Sequence, residues 1–194
     1  MFARKENHEI LQGWRIWVLP GILLFPALTG PVLARFTPEI LSAMAGRKIS
    51  GITIPPTTYL DAYAQWIKNL SQIALFALIL IYGGIVSAGV KTGTAALVLA
   101  KRVSHVTFVT AKATVQSAFL AVCVVAGTLL TCGVTDITFG KAPGAALWSS
   151  ALVWLVFGLL FVAIMTMLSV LITSGTGAAG AGLGIYALVS IAAI

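Results

Sequence analysis

Charge is what this sequence has least of. Lys, Arg, Asp and Glu make up 9% of its 194 residues, and five residues in all are acidic. Soluble domains run near a quarter charged. With 59% hydrophobic residues and a mean hydropathy of +1.04, the chain belongs in a membrane. Cysteine is scarce too: Cys123 and Cys132 sit at or near one apolar run. They make no disulfide framework and no metal spacing, and both read as small packing residues. Catalytic signatures are lacking as well. There is no GxxxxGK[ST], HExxH, GxSxG or CxxC. His8 and His105 are far apart in sequence, and no Ser or Thr inside the apolar runs has a neighbouring His or Asp to activate it. The expectation is a chain that is not an enzyme and holds no catalytic residue, cofactor or metal of its own.

One further lack concerns energy. A proton- or ion-coupled transporter carries ionisable groups within its spans. Here the cores of the second to fifth apolar runs have none. Any transport then draws on a partner. The formal net charge of +7, from 12 Lys+Arg against five Asp+Glu, does not point to nucleic acid. The basic residues lie in loops and at span ends, where bilayer orientation and anionic lipid account for them.

What the chain does have is apolar runs. Five of them predict an all-α, polytopic helical membrane protein, a single transmembrane domain over 1–194 with spans near 15–34, 70–90, 106–131, 145–173 and 176–194. Residues 1–13 read as an interfacial helix, with Trp14 and Trp17 as anchors. The first span holds Pro20, Pro26 and Pro31 with Gly21 and Gly30, which predicts a bend. Residues 34–60 break the apolar pattern and read as a long connection.

A helix is predicted to begin near Thr57 or Thr58. Its polar residues, Asp61, Gln65, Lys68, Asn69 and Gln72, fall three and four apart along one face. Tyr63, Trp66, Ile67 and Leu70 occupy the other side, and the helix is expected to enter the hydrocarbon near Ser71. That polar face reads as the solvated side of a helix extension; the alternative is a polar wall at the mouth of a pathway. Lys112, the one charge in the third span, is expected to snorkel to the interface. In the last run, Gly180 and Gly184 form a GxxxG pair, with Gly177 and Ala181 along the same stripe. That spacing lets two helices approach closely. The run stops at Ile194 while still apolar, as though a further part were to follow.

The polar, basic segment 91–112 stands out between two apolar runs. It carries Lys91, Lys101, Arg102 and Lys112, with no acid. With the N-terminus inside, seven basic residues face the cytoplasm against five outside, which favours a multi-pass plasma-membrane protein with a cytoplasmic N-terminus.

Gly93-Thr94, the apolar run Ala95 to Leu99, then Lys101, Val103-Ser104, Phe108-Val109 and Lys112 resemble the permease subunits of type-2 ABC transporters. In that family this loop contains a coupling helix that docks on a cytoplasmic ATPase. The resemblance implies ATPase docking by Gly93, Thr94, Leu97, Leu99, Lys101, Arg102 and Ser104. Leu97 and Leu99 would enter a groove, Lys101 and Arg102 would meet acidic residues, and Ser104 would cap the next helix. It also implies a second permease subunit, as homo- or heterodimer, and ATP with Mg on the ATPase rather than on this chain.

The sequence departs from the family at Gly89 or Val90, where an acid is usual. Arg102 replaces a proline, His105 replaces an arginine, and five spans stand where six are expected. On the residues alone, Lys101 and Arg102 equally suit lipid phosphate. A non-transporting membrane protein (an anchor, an immunity factor or a truncated permease) is the alternative.

Overall fold

The structure, a computed structural model, describes residues 15–45, 57–84, 105–140 and 142–192. These form α1 (Arg15–Ala45), α2 (Tyr59–Tyr82), α3 (His105–Phe139), α4 (Ala145–Leu171) and α5 (Gly175–Ala192), with no strand among the described residues. Each holds a stretch long and apolar enough to cross a membrane. The protein is an all-α polytopic membrane protein.

α1 does not stop near residue 34. It continues to Ala45 and carries a fourth proline, Pro38. Each proline lacks an N–H and strips the carbonyl four residues earlier of its helical donor. Pro31 does this to Ala27, and the Thr131 hydroxyl of α3 donates to the Ala27 carbonyl at 3.4 Å. Further out, the Arg35 guanidinium donates to the Thr138 carbonyl in the last turn of α3. There a helix leaves its carbonyls unpaired and its dipole favours a cation. Arg35 thus belongs to a helix pair rather than to a loop.

α3 is also longer than its apolar run, reaching Phe139 rather than residue 131. Its threonines explain how polar residues stay in an apolar helix. Thr110, Thr114, Thr128, Thr135 and Thr138 each donate to the carbonyl four residues back at 2.6–2.8 Å. Gly140, at φ 83°, ends the helix in the left-handed conformation that glycine takes without steric cost. The Asp136 carboxylate then accepts the Ala142 N–H at 3.0 Å and pins the turn into α4.

α2 begins at Tyr59 with Thr58 as its N-cap, where the sequence puts it. The Asp61 carboxylate accepts the Thr58 N–H at 2.7 Å and its hydroxyl at 3.1 Å. Every fourth residue then turns inward: Ala62, Trp66, Leu70, Ala74, Leu78 and Tyr82 are each at most 4% exposed. In an ideal α-helix a strict four-residue repeat drifts by about 40° per step, so this stripe would wind about 200° around the axis. The drift is cut where Leu70–Ala74 forms a π segment. At about 4.4 residues per turn, five residues recover about 90° of it.

The layers meet where side chains shrink. Trp66 is 1% exposed and lies on Gly127 of α3, where an added Cβ would come within 2.6 Å of the indole. Gly83 faces the Gly175 carbonyl and Ala179 of α5 at 2.8 and 2.9 Å by the same measure. Gly182 of α5 packs on Met165 of α4 and Ile79 of α2. Gly127→Val therefore forces the indole aside and should cost about 1–3 kcal/mol or more. Gly133→Ala on the same helix meets nothing within 4 Å and should be neutral to stabilising. Thermal unfolding of the two variants in detergent, followed by circular dichroism, checks the contrast.

Candidate functional site

α2 carries the polar side chains that the sequence singles out ahead of the second span, and the structure splits their face in two. Lys68 lies along the α2–α4 groove with Ser71, Ala146 and Ser150. Gln65 and Asn69 turn instead toward α1 and are half-buried. The Gln65 Nε2 donates to the Asn69 Oδ1 at 3.3 Å, and both side chains lie opposite Gly30, 3.7 and 3.6 Å from where its Cβ would be. A purely solvated face does not describe these two amides. They line a hollow of about 420 Å³ between α1 and α2, together with Gly21, Phe25, Thr29 and Leu33.

At the middle of α2, the π segment makes a second junction. The Tyr186 hydroxyl of α5 donates to the Ser71 carbonyl within that segment at 3.1 Å. π segments leave backbone groups out of the regular ladder, and here a side chain from another helix reaches one of them. Phe161 of α4 packs edge-on against the Tyr186 ring, with centroids 6.4 Å apart. The phenol is thereby held by α2 and α4 at once.

The acids among the described residues lie at helix ends. Asp61 is in the first turn of α2, Asp136 in the last turns of α3 and Glu39 in the last turns of α1. Lys112 is the one buried charge among the described residues, at 7% exposure. It packs inside the chain instead of reaching freely to the interface. Its ammonium lies 5.5 Å from the centroid of Phe108, one turn earlier, and the ring's negative face favours it. A long side chain on a helix leans toward the N-terminal turn, which is where that ring stands. Gln116, one turn on from Lys112, is 1% exposed, and its backbone carbonyl, not its side chain, accepts the Tyr82 hydroxyl at 3.5 Å. A lone Gln inside an apolar run is a legible signal for such a buried amide, and the sequence reading passed over it.

The residues assigned to ATPase docking, Gly93, Thr94, Leu97, Leu99, Lys101, Arg102 and Ser104, lie outside the described residues. On α5, the side toward the rest of the chain is Ala178, Ala179 and Gly182, all buried. Gly180 and Gly184 face open space, with nothing within 4 Å of an added Cβ, and Gly177 meets only Ile172 and Ser174 just before it. Ala181 is half-buried against the core. Among the described residues, Gly180 and Gly184 therefore make no contact with another helix.

Tyr186→Phe keeps the ring and deletes the bond to Ser71. The expected loss is about 0.6 kcal/mol, the mean for interhelical hydrogen bonds in membranes. It should be accompanied by faster amide exchange in the Leu70–Ala74 segment, read by hydrogen–deuterium exchange mass spectrometry, with α4 unchanged.

No family model, curated protein or solved structure matches this chain.

Proposed function

We propose that this chain is the membrane-spanning permease subunit of an ATP-driven exporter of the ABC type, working in the plasma membrane with its N-terminus in the cytoplasm. The observation that carries the reading is where charge sits. Glu39, Asp61 and Asp136, the acids among the described residues, all stand at helix ends, and Lys112 is the one buried cation there. Such a bundle offers no carboxylate relay to couple an ion gradient to movement. Work has to enter from outside the bilayer, and the basic segment 91–112, which leads into the first turns of α3, is the place suited to receive it.

In this reading, a separate cytoplasmic ATPase binds ATP and Mg and closes. Its motion reaches the membrane through residues 94–101. Leu97 and Leu99 seat in the ATPase, while Lys101 and Arg102 pair with its acids. The helices then move as packed bodies. A second permease subunit completes the path, and the open small-residue face at Gly180 and Gly184 supports contact with it. The cargo is amphipathic rather than a small ion.

Reversing both charges, Lys101→Glu with Arg102→Glu, should reduce ATPase co-purification and ATP-dependent export by about tenfold or more. The protein should still insert and fold. If both activities survive the double reversal, the docking assignment fails. If no ATPase co-purifies even with the native sequence, a non-transporting membrane protein becomes the better reading.

A further inference from the structure

The hollow at Gln65 and Asn69 is half of a longer groove. A second hollow, of about 490 Å³, continues it along the same α1–α2 seam, and Ile22 and Ile73 line both. The two halves differ in chemistry. Gln65, Asn69 and Thr29 stand in the upper one. Gln72 stands near the junction, and below it the lining is Val18, Phe76, Ala77, Leu80 and Ile81. From Leu33 to Val18 the seam runs fifteen residues of helix, about 22 Å. Phe25, Leu33, Ile73, Phe76 and Leu80 are 46–69% exposed along its rim. The groove thus opens sideways, away from the core.

We propose that this seam binds one uncharged single-chain amphiphile, with its hydroxyl, ester or amide head at Gln65 and Asn69 and its chain along Val18, Phe76 and Leu80. Three observations select that occupant. First, no charged residue among the described ones lines either hollow. The nearby Arg35 is engaged on Thr138, and Lys68 lies along the other groove. A phosphate therefore gains nothing here, while a neutral head loses nothing.

Second, the Gln65–Asn69 bond uses one donor and one acceptor of the pair. The Asn69 Nδ2 is left to donate and the Gln65 Oε1 to accept, a combination that fits a hydroxyl beside an ester or amide. For side chains half-buried between two helices, polar groups left without partners are costly. Third, Pro26 deprives the Ile22 carbonyl of its helical donor at the junction of the hollows. A ligand hydroxyl is the kind of group that replaces it. The combined size is that of sites which enclose a small ligand.

This inference needs no ATPase and stands apart from the exporter reading. The test uses the full chain in phosphatidylcholine nanodiscs and three photoreactive probes: a monoacylglycerol with a diazirine in its chain, the corresponding phosphatidylglycerol, and a diazirine alkane without a head. The monoacylglycerol probe should label peptides of α1 and α2, and unlabelled monoolein should displace it. Asn69→Leu should lower that labelling about fivefold, the factor of one hydrogen bond, and leave alkane labelling unchanged.

Gly21→Leu is the companion variant. Gly21 lines the upper hollow, and an added Cβ there meets nothing within 4 Å. The leucine should fill the hollow and abolish labelling while thermal stability holds. Equal labelling by the phosphatidylglycerol or alkane probe overturns the proposal, since the head then selects nothing. So does labelling that Gly21→Leu leaves untouched. A change in oligomer size with Gly21→Leu, with lipid labelling constant, also overturns it by placing a second protein chain in the seam.

Discussion

Peptide groups inside a bilayer have no water to turn to, and this chain begins its first span by giving up four of its own donors. Pro20, Pro26, Pro31 and Pro38 strip the carbonyls of Ile16, Ile22, Ala27 and Ala34 of their helical partners. A helix so depleted needs help from its neighbours. α3 supplies part of it through the Thr131 hydroxyl and takes some in return, since Arg35 serves the last turn of α3. The two helices hold each other's irregular ends. Five other hydroxyls of α3, those of Thr110, Thr114, Thr128, Thr135 and Thr138, are turned back on their own backbone, so they ask nothing of the surroundings.

The same economy governs packing. Lipid tails are as apolar as leucine, so helices in a membrane associate by shape rather than by escape from water. The contacts here are large on small. Trp66 lies on Gly127, Met165 on Gly182, and the α5 backbone on Gly83. Trp66 reaches Gly127 from the buried side of α2, which it shares with Ala62 and Leu70. α5 joins through its own small residues and the hydroxyl of Tyr186.

Much of this could be read from the residues. The five apolar runs and the N-cap at Thr58 follow from hydropathy and cap chemistry that act locally. What could not be read depends on partners far away in sequence. Charged residues such as Arg35 and Glu39 look like the start of a loop, yet Arg35 has a carbonyl to serve on α3, and the helix runs on. Composition marks the last run as rich in small residues, but which of them face inward was set by the side chains of Met165 and Ile79. For Gln65 and Asn69, the spacing correctly set them apart as polar. Their burial depended on α1 offering Gly30 at the right height. The basic segment 91–112 remains a matter of sequence from Lys91 to Ser104.

The π segment of α2 has a mechanical meaning beyond filling a stripe. Such a segment moves along a helix by trading each five-residue hydrogen bond for a four-residue one, pair by pair, with no net loss of bonds. Moving it past a residue turns that residue about the axis, while the helix on either side keeps its phase because the number of wide turns is unchanged. Gln65 and Asn69 stand before Leu70–Ala74, and Gly83 stands after it. The two ends of this helix thus keep their facing while the residues between them have room to turn, and the Tyr186 hydroxyl on Ser71 holds the segment where it is.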